Sequence, residues 1–111
     1  MASDAYAIPM RLSLIVLRST NAEHLAGFYA KIGIPMFQER HGTGPLHFAG
    51  TLAGGVIEIY PTKTPTKLTF GIAVAASDAF IRTWIDAGGS SSPNGLLIDP
   101  DGNTLHLTAE V

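Results

Sequence analysis

G-L-L-I-D-P-D-G-N-T-L-H-L-T, residues Gly95 to Thr108, is two short apolar runs around Asp99-Pro100-Asp101-Gly102-Asn103. Asp-Pro opens a turn, and Asp-Gly supplies the positive φ that closes it. Apolar runs on both sides of such a turn predict a β-hairpin. The second arm alternates, with Thr104, His106 and Thr108 on one face and Leu105 and Leu107 on the other. A histidine between threonines on the polar face of a strand is either a site or a wet surface, and the rest of the chain has to decide which.

The chain has 111 residues, one domain's worth. It is 46% hydrophobic and 14% charged, which excludes a disordered chain and points to surface buried against a second subunit. A net charge of −2 with no Lys/Arg cluster argues against a nucleic-acid or anionic-membrane surface. The absence of cysteine excludes disulfides, thiolate catalysis and cysteine-based zinc sites. Met1 to Met10 lacks the basic-then-apolar pattern of a signal peptide, and no apolar run approaches membrane-spanning length. A soluble cytoplasmic protein is the expectation.

Residues 1–9 read as a loose leader ending at Pro9. Arg11 to Arg18 is a buried strand by its run of branched apolar residues. Thr20-Asn21-Ala22-Glu23 has the form of a capping box, and Leu25, Phe28, Tyr29 and Ile32 give the helix after it one apolar stripe, ended by Gly33. Ile34–Arg40, Leu46–Leu52 and Val56–Tyr60 follow as strands, with a loop at His41–Pro45 and a tight turn near Ala53-Gly54-Gly55. P-T-K-T-P (61–65) is a linker. The pattern then restarts: a strand over Lys67–Val74, a helix capped by Ser77 or Asp78 and carrying Phe80, Ile81, Trp84 and Ile85, a stop at Gly88-Gly89, a weak strand at best over Ser90–Asn94, and the hairpin.

The chain is thus two β-α-β-β-β modules, about 11–61 and 67–109. A shift of 55 residues lays Gly33 on Gly88, Tyr29 on Trp84, Leu25 on Phe80 and Leu14 on Thr69, while Val56–Tyr60 matches Thr104–Thr108. Strand alternation sorts the faces. Ile57, Ile59, Leu46, Phe48, Leu68, Phe70, Ile72 and Val74 go to the helix side. A two-residue turn at Ala53-Gly54 sets Ala49 opposite Glu58 and His47 opposite Tyr60. The opposite surface then collects Leu14, His47, Glu58, Tyr60, Thr69 and His106, a mixture suited to lining a cavity.

The helix A-E-H-L-A-G-F-Y-A-K-I-G-I (22–34), the strand G-G-V-I-E-I-Y-P (54–61), F-G-I-A-V (70–74) and D-P-D-G-N-T-L-H-L (99–107) together resemble the vicinal oxygen chelate superfamily, the glyoxalase, bleomycin-resistance and extradiol-dioxygenase group. The resemblance covers nearly the whole chain from residue 11. It implies an α+β fold of paired β-α-β-β-β modules whose sheets curl around a cavity, and a homodimer in which module one of one chain faces module two of the other. In metal-dependent members four positions supply ligands, one on the first and one on the last strand of each module. Here they fall on Leu14, Glu58, Thr69 and His106. Leu14 cannot bind an ion, Thr69 is a poor ligand, and His106 stands where a glutamate is usual. His47 becomes a third donor beside Glu58 if the hairpin register brings it near.

His47, Glu58, Tyr60, Thr69 and His106 are therefore the expected ligand-cavity residues, with Glu58 the candidate catalytic group and Glu58 and His106 the candidate metal ligands. Tyr29 and Trp84 read as core or rim, His24 and His41 as solvated, and Asp99, Asp101 and Asn103 as turn formers. Neither glycine pair matches a nucleotide-binding loop. The leading functional reading is a small-molecule binder with no cofactor and no complete catalytic metal site. Beside it stand a lyase, isomerase or dioxygenase using a divalent metal on Glu58 and His106, and a non-catalytic interaction module. A ferredoxin-like dimeric barrel is the alternative fold, and it has no use for the hairpin.

Overall fold

The computed structural model describes residues 10–110, so the leader expected over residues 1–9 lies outside them. The elements run β1 (Leu14–Ser19), α1 (Ala22–Lys31), β2 (Met36–Glu39), β3 (His47–Leu52), β4 (Gly55–Pro61), β5 (Thr69–Val74), α2 (Ser77–Ala87), β6 (Ser90–Ser91), β7 (Leu97–Ile98) and β8 (Thr104–Ala109). They form two four-stranded sheets of the same order, β1-β4-β3-β2 and β5-β8-β7-β6. The outer pairs β1–β4 and β5–β8 are parallel and the rest antiparallel. This is the β-α-β-β-β repeat read from the sequence, with the expected register: Ala49 pairs with Glu58 and Leu52 with Gly55 across the Ala53-Gly54 turn, where Gly54 takes φ 85°.

Each sheet turns one face to the helices, and the side chains on those faces merge into one core. Leu17, Ile57 and Ile59 from the first sheet, Leu25, Phe28 and Tyr29 from α1, Trp84 from α2, and Phe70, Leu97 and Leu105 from the second sheet are all buried. The repeat-related Tyr29 and Trp84 meet near the middle. Phe28 sets its ring edge-on to both, at 5.2 Å from Tyr29 and 4.8 Å from Trp84. Such pairs contribute about 0.5–1.5 kcal/mol each beyond their burial, so the two modules are joined through their helices.

The buried Trp84, Asp99 and Asn103 side chains of this layer are hydrogen-bonded. The Trp84 indole N–H donates to the carbonyls of Ser90 and Ile98. The Asp99 turn is tied the same way. Gly102 N–H donates to Asp99 O at 3.0 Å, and Gly102 takes φ 92°. Asp99 is 3% exposed. Its carboxylate accepts from the N–H groups of Asp101 and Asn103, from the Asn103 amide and, at 2.6 Å, from the Tyr29 hydroxyl. Asn103 Oδ1 in turn accepts from Leu68 N–H at the entry to β5. The turn formers of the sequence reading are thus a buried latch between module one's helix and module two's sheet.

Three local expectations are corrected. The cap of α1 is Asn21, not Thr20: Asn21 Oδ1 accepts from His24 N–H at 3.2 Å, so the box gives way to an Asx cap one residue on. The cap of α2 is Ala76, which has no capping side chain; Ser77 and Asp78 sit in the first turn, where Asp78 still faces the positive end of the helix dipole. Leu46, placed on the helix side, is 44% exposed, because strand pairing stops at His47–Glu39 and leaves it in the loop.

Candidate functional site

The faces turned away from the helices carry the candidate residues. In the first sheet, parallel pairing sets Leu14 beside Val56, Val16 beside Glu58 and Arg18 beside Tyr60. Antiparallel pairing adds Ala49 and His47 from β3, and Phe37 and Glu39 from β2. In the second, Thr69 lies beside Thr104 and Gly71 beside His106. Leu14 and Glu58 therefore share one open face, and Thr69 and His106 the corresponding face of the other sheet. A cleft of about 180 Å³ runs between the sheets, lined by Leu12, Leu14, Leu52, Val56 and Gly71 among others. Neither Glu58 nor His106 lines it. Leu14 is 46% exposed, Leu12 73% and Phe37 69%.

His47 is only 1% exposed although it stands on the open face. Tyr60 covers one side of the imidazole, stacked at 4.1 Å and 10°, and the Arg18 guanidinium lies 5.5 Å from the other face of that column, over Tyr60. The His47 ring nitrogens have different neighbours. Nδ1 is 3.1 Å from Pro45 O. A carbonyl only accepts, so Nδ1 carries the hydrogen. Nε2 points the other way, 3.1 Å from Glu39 Oε1 and 3.8 Å from Glu58 Oε2. His41, read as solvated, is exposed on the 41–45 loop, yet its Nε2 lies 3.2 Å from the same Glu39 oxygen.

The structure thus brings together Glu58, His47 and Tyr60, and sets Thr69 and His106 apart from them on the second sheet, where both are exposed. It adds Glu39, which the sequence reading did not single out, and His41, which it read as solvated. The signal for Glu39 was available: once β2 and β3 form a hairpin, alternation puts Glu39 on the face of its partner His47.

No protein-family model and no curated protein matches the sequence. Solved structures match it over nearly their full length. TnmS3, an antibiotic-binding protein from Streptomyces sp. CB03234, superposes with TM-score 0.73 at 15% identity, over 95% of this chain and 99% of that one. A glyoxalase/bleomycin resistance protein from Albidiferax ferrireducens T118 superposes with TM-score 0.70 at 18% identity, over 89% and 98%. Oxidase ChaP-H2 gives 0.72 at 14%, over 94% and 96%. The chain has an α+β fold like that of the glyoxalase/bleomycin resistance structures.

The four positions that the sequence resemblance assigns to metal ligands are Leu14, Glu58, Thr69 and His106, and their donor set does not fit a catalytic divalent ion. Leu14 has no lone pair to offer. Thr69 offers a neutral hydroxyl. The two strong donors stand in different sheets. A zinc or iron centre of this fold needs more oxygen or nitrogen donors than those positions supply. Among the described residues no helix is long and apolar enough to cross a membrane.

Proposed function

We propose that the chain binds a small, partly apolar organic molecule on the open sheet faces, in a cavity completed by a second copy of the chain in the cytoplasm. The observation that carries this reading is the character of those faces. Exposed Leu12, Leu14 and Phe37 and half-buried Glu58 and Tyr60 belong to the first module, and exposed Thr69 and His106 stand on the second sheet. Apolar area with a few polar groups is what an organic ligand needs. Two clefts of one chain, about 180 Å³ and about 270 Å³, each fall short of the roughly 300 Å³ at which drug-sized sites begin. The chain is also spread out, with a radius of gyration of 15.4 Å against about 13 Å expected for its length. A second copy laid module one to module two would cover the exposed leucines and enlarge the cavity. One structural neighbour, TnmS3, is an antibiotic-binding protein, which supports the same class of ligand.

In this reading Tyr60 and Leu14 offer apolar surface, and Glu58, Thr69 and His106 hydrogen-bond the ligand's polar groups. Binding is favoured over lyase or dioxygenase chemistry because Leu14 and Thr69 break the donor set that such chemistry needs.

The test is a thermal-shift screen of aromatic, polycyclic and thiol-conjugate compounds, followed by calorimetry, with sedimentation velocity on the same samples. A dimer and at least one saturable ligand, weakened tenfold or more by His106→Ala, are expected. A monomer that raises its Tm with none of these compounds would refute the reading.

A further inference from the structure

We infer that Glu39, His41, His47 and Glu58 form a binding site for a first-row divalent cation, with zinc the best match to the donors. This goes beyond the ligand-binding reading and does not depend on it. The site also lies to one side of the fold's four ligand positions and shares only Glu58 with them.

Four features carry the inference. First, the donor set is two imidazoles and two carboxylates, with one donor atom from each lying within 4.8 Å of every other. That composition suits a borderline divalent ion, and two carboxylates balance its charge. Second, the spacing is close to what an ion requires. Zinc bonded at about 2.1 Å in a tetrahedron holds its ligand atoms roughly 3.4 Å apart. The three close contacts, at 3.1, 3.2 and 3.8 Å, bracket that value. The remaining separations are no more than 4.8 Å, and His41 stands on the H-G-T-G-P loop, with Gly42 at φ 61°.

Third, His47 is set as a ligand is set. Its Nδ1–H is fixed on the Pro45 carbonyl, which is the arrangement that orients metal-bound imidazoles. Its ring is clamped on Tyr60 and 99% shielded from solvent, so Nε2 has one direction to face. Fourth, Nε2 faces two carboxylates. Glu39 Oε1 lies 3.1 Å and Glu58 Oε2 3.8 Å from Nε2, so the three donor atoms converge on one small volume. A cation satisfies Glu39, Glu58 and His41 together. Exposure rises from His47 through Glu58 and Glu39 to His41, at 1, 17, 38 and 71%. The site therefore opens toward solvent on the His41 side, where an ion enters.

The experiment uses tag-free full-length protein, stripped with chelator and then titrated with zinc alone by calorimetry, with metal content measured after gel filtration. One zinc per chain is expected. Glu39→Gln and Glu58→Gln should each weaken binding tenfold or more, in line with the loss of one ligand or its support, while His106→Gln leaves it unchanged. His47→Gln removes a buried ring and risks the fold, so Glu39→Gln and His41→Gln, on an edge strand and a loop, carry the assignment, with circular dichroism confirming their fold. Nitrogen NMR should show the zinc-dependent shift on His47 Nε2 while Nδ1 stays protonated. No saturable zinc binding, or zinc retained at full affinity in both Glu39→Gln and Glu58→Gln, or zinc lost in His106→Gln, overturns the site. Because no organic compound is present, failure here leaves the ligand-binding proposal standing, and failure of the compound screen leaves the ion site standing.

Discussion

Replacing Tyr29 with Phe deletes one hydroxyl from the centre of the molecule. Tyr29 is 0% exposed and Asp99 is 3% exposed, and the hydroxyl donates to Asp99 Oδ2 at 2.6 Å. The ring and its contacts with Phe28 and Trp84 survive the change. What is lost is a hydrogen bond to a buried carboxylate, for which about 1.5–3 kcal/mol is typical. Asp99 keeps its other three donors, which favours the lower half of that range. An unfolding entropy of about 2.1 cal/mol/K per residue makes 2 kcal/mol worth about 9 °C of Tm for a chain of this length.

The pH dependence separates this account from a generic core defect. Burial, and then the Asp99 charge, push the Tyr29 phenol well above its ordinary value of 10.0. Its contribution is therefore complete below about pH 10 and is lost as pH rises toward the folded value, because the unfolded chain gives up the proton first. At pH 11 the unfolded phenol is about ten-to-one ionised, which removes about 1.4 kcal/mol of the wild-type advantage. Urea unfolding of wild type and Tyr29→Phe at pH 8 and pH 11 measures both quantities. The stability gap should be near 2 kcal/mol at pH 8 and should shrink by about 1.4 kcal/mol at pH 11. A gap that stays constant with pH, or a Tyr29 phenolate seen by ultraviolet absorbance near pH 10 in the folded protein, would refute the latch.

Two further substitutions probe the same layer. Asn103→Ala leaves Leu68 N–H without its acceptor and strips Asp99 of a donor, so unfolding in urea should show a loss of about 2–4 kcal/mol, larger than for Tyr29→Phe. Gly89→Ala sets a Cβ against the Trp84 indole, whose N–H is held on two carbonyls and cannot retreat freely. A Tm lowered by the equivalent of about 1–3 kcal/mol is expected, together with a shifted tryptophan emission; an unchanged emission spectrum would contradict that packing.

Much of this architecture was legible because two local signals agreed. Alternation in V-I-E-I-Y and L-H-F-A-G-T fixed the inward residues, and the Ala53-Gly54 turn fixed the register, so Glu58, His47 and Tyr60 fell on one face as read. The repeat placed His106 and Thr69 on the matching face of the second sheet. The misses came from interactions that local pattern does not carry. Ser77 has the right chemistry for a cap, but the chain enters α2 one residue earlier. Asp99 was read as a turn former, which it is, but its Tyr29 partner lies 70 residues away. Glu39 was passed over and His41 read as solvated because the four residues between Arg40 and Pro45 carry no periodicity from which to carry the strand faces across to His47.

The two sides of each sheet obey different constraints, and this bears on where function sits. On the helix side, repeat-related positions carry bulky apolar residues in both modules, Tyr29 with Trp84 and Leu25 with Phe80, because close packing leaves little choice of size. On the open side, the related pairs differ in kind: Leu14 with Thr69, and Glu58 with His106. No packing demand holds those positions alike, so donor groups there can gather on one sheet alone, as Glu58 does with Glu39 and His47 of the neighbouring strands. Glu58 consequently belongs to both proposed sites, and Glu58→Gln alone cannot tell them apart. Glu39→Gln and His106→Ala can, since each belongs to one site only. Organic-ligand affinity that falls with His106→Ala and holds with Glu39→Gln, beside zinc affinity that does the reverse, would establish two separate sites; zinc affinity that falls with His106→Ala would overturn the ion site, and both affinities falling together in Glu39→Gln would mean that ion and ligand share one.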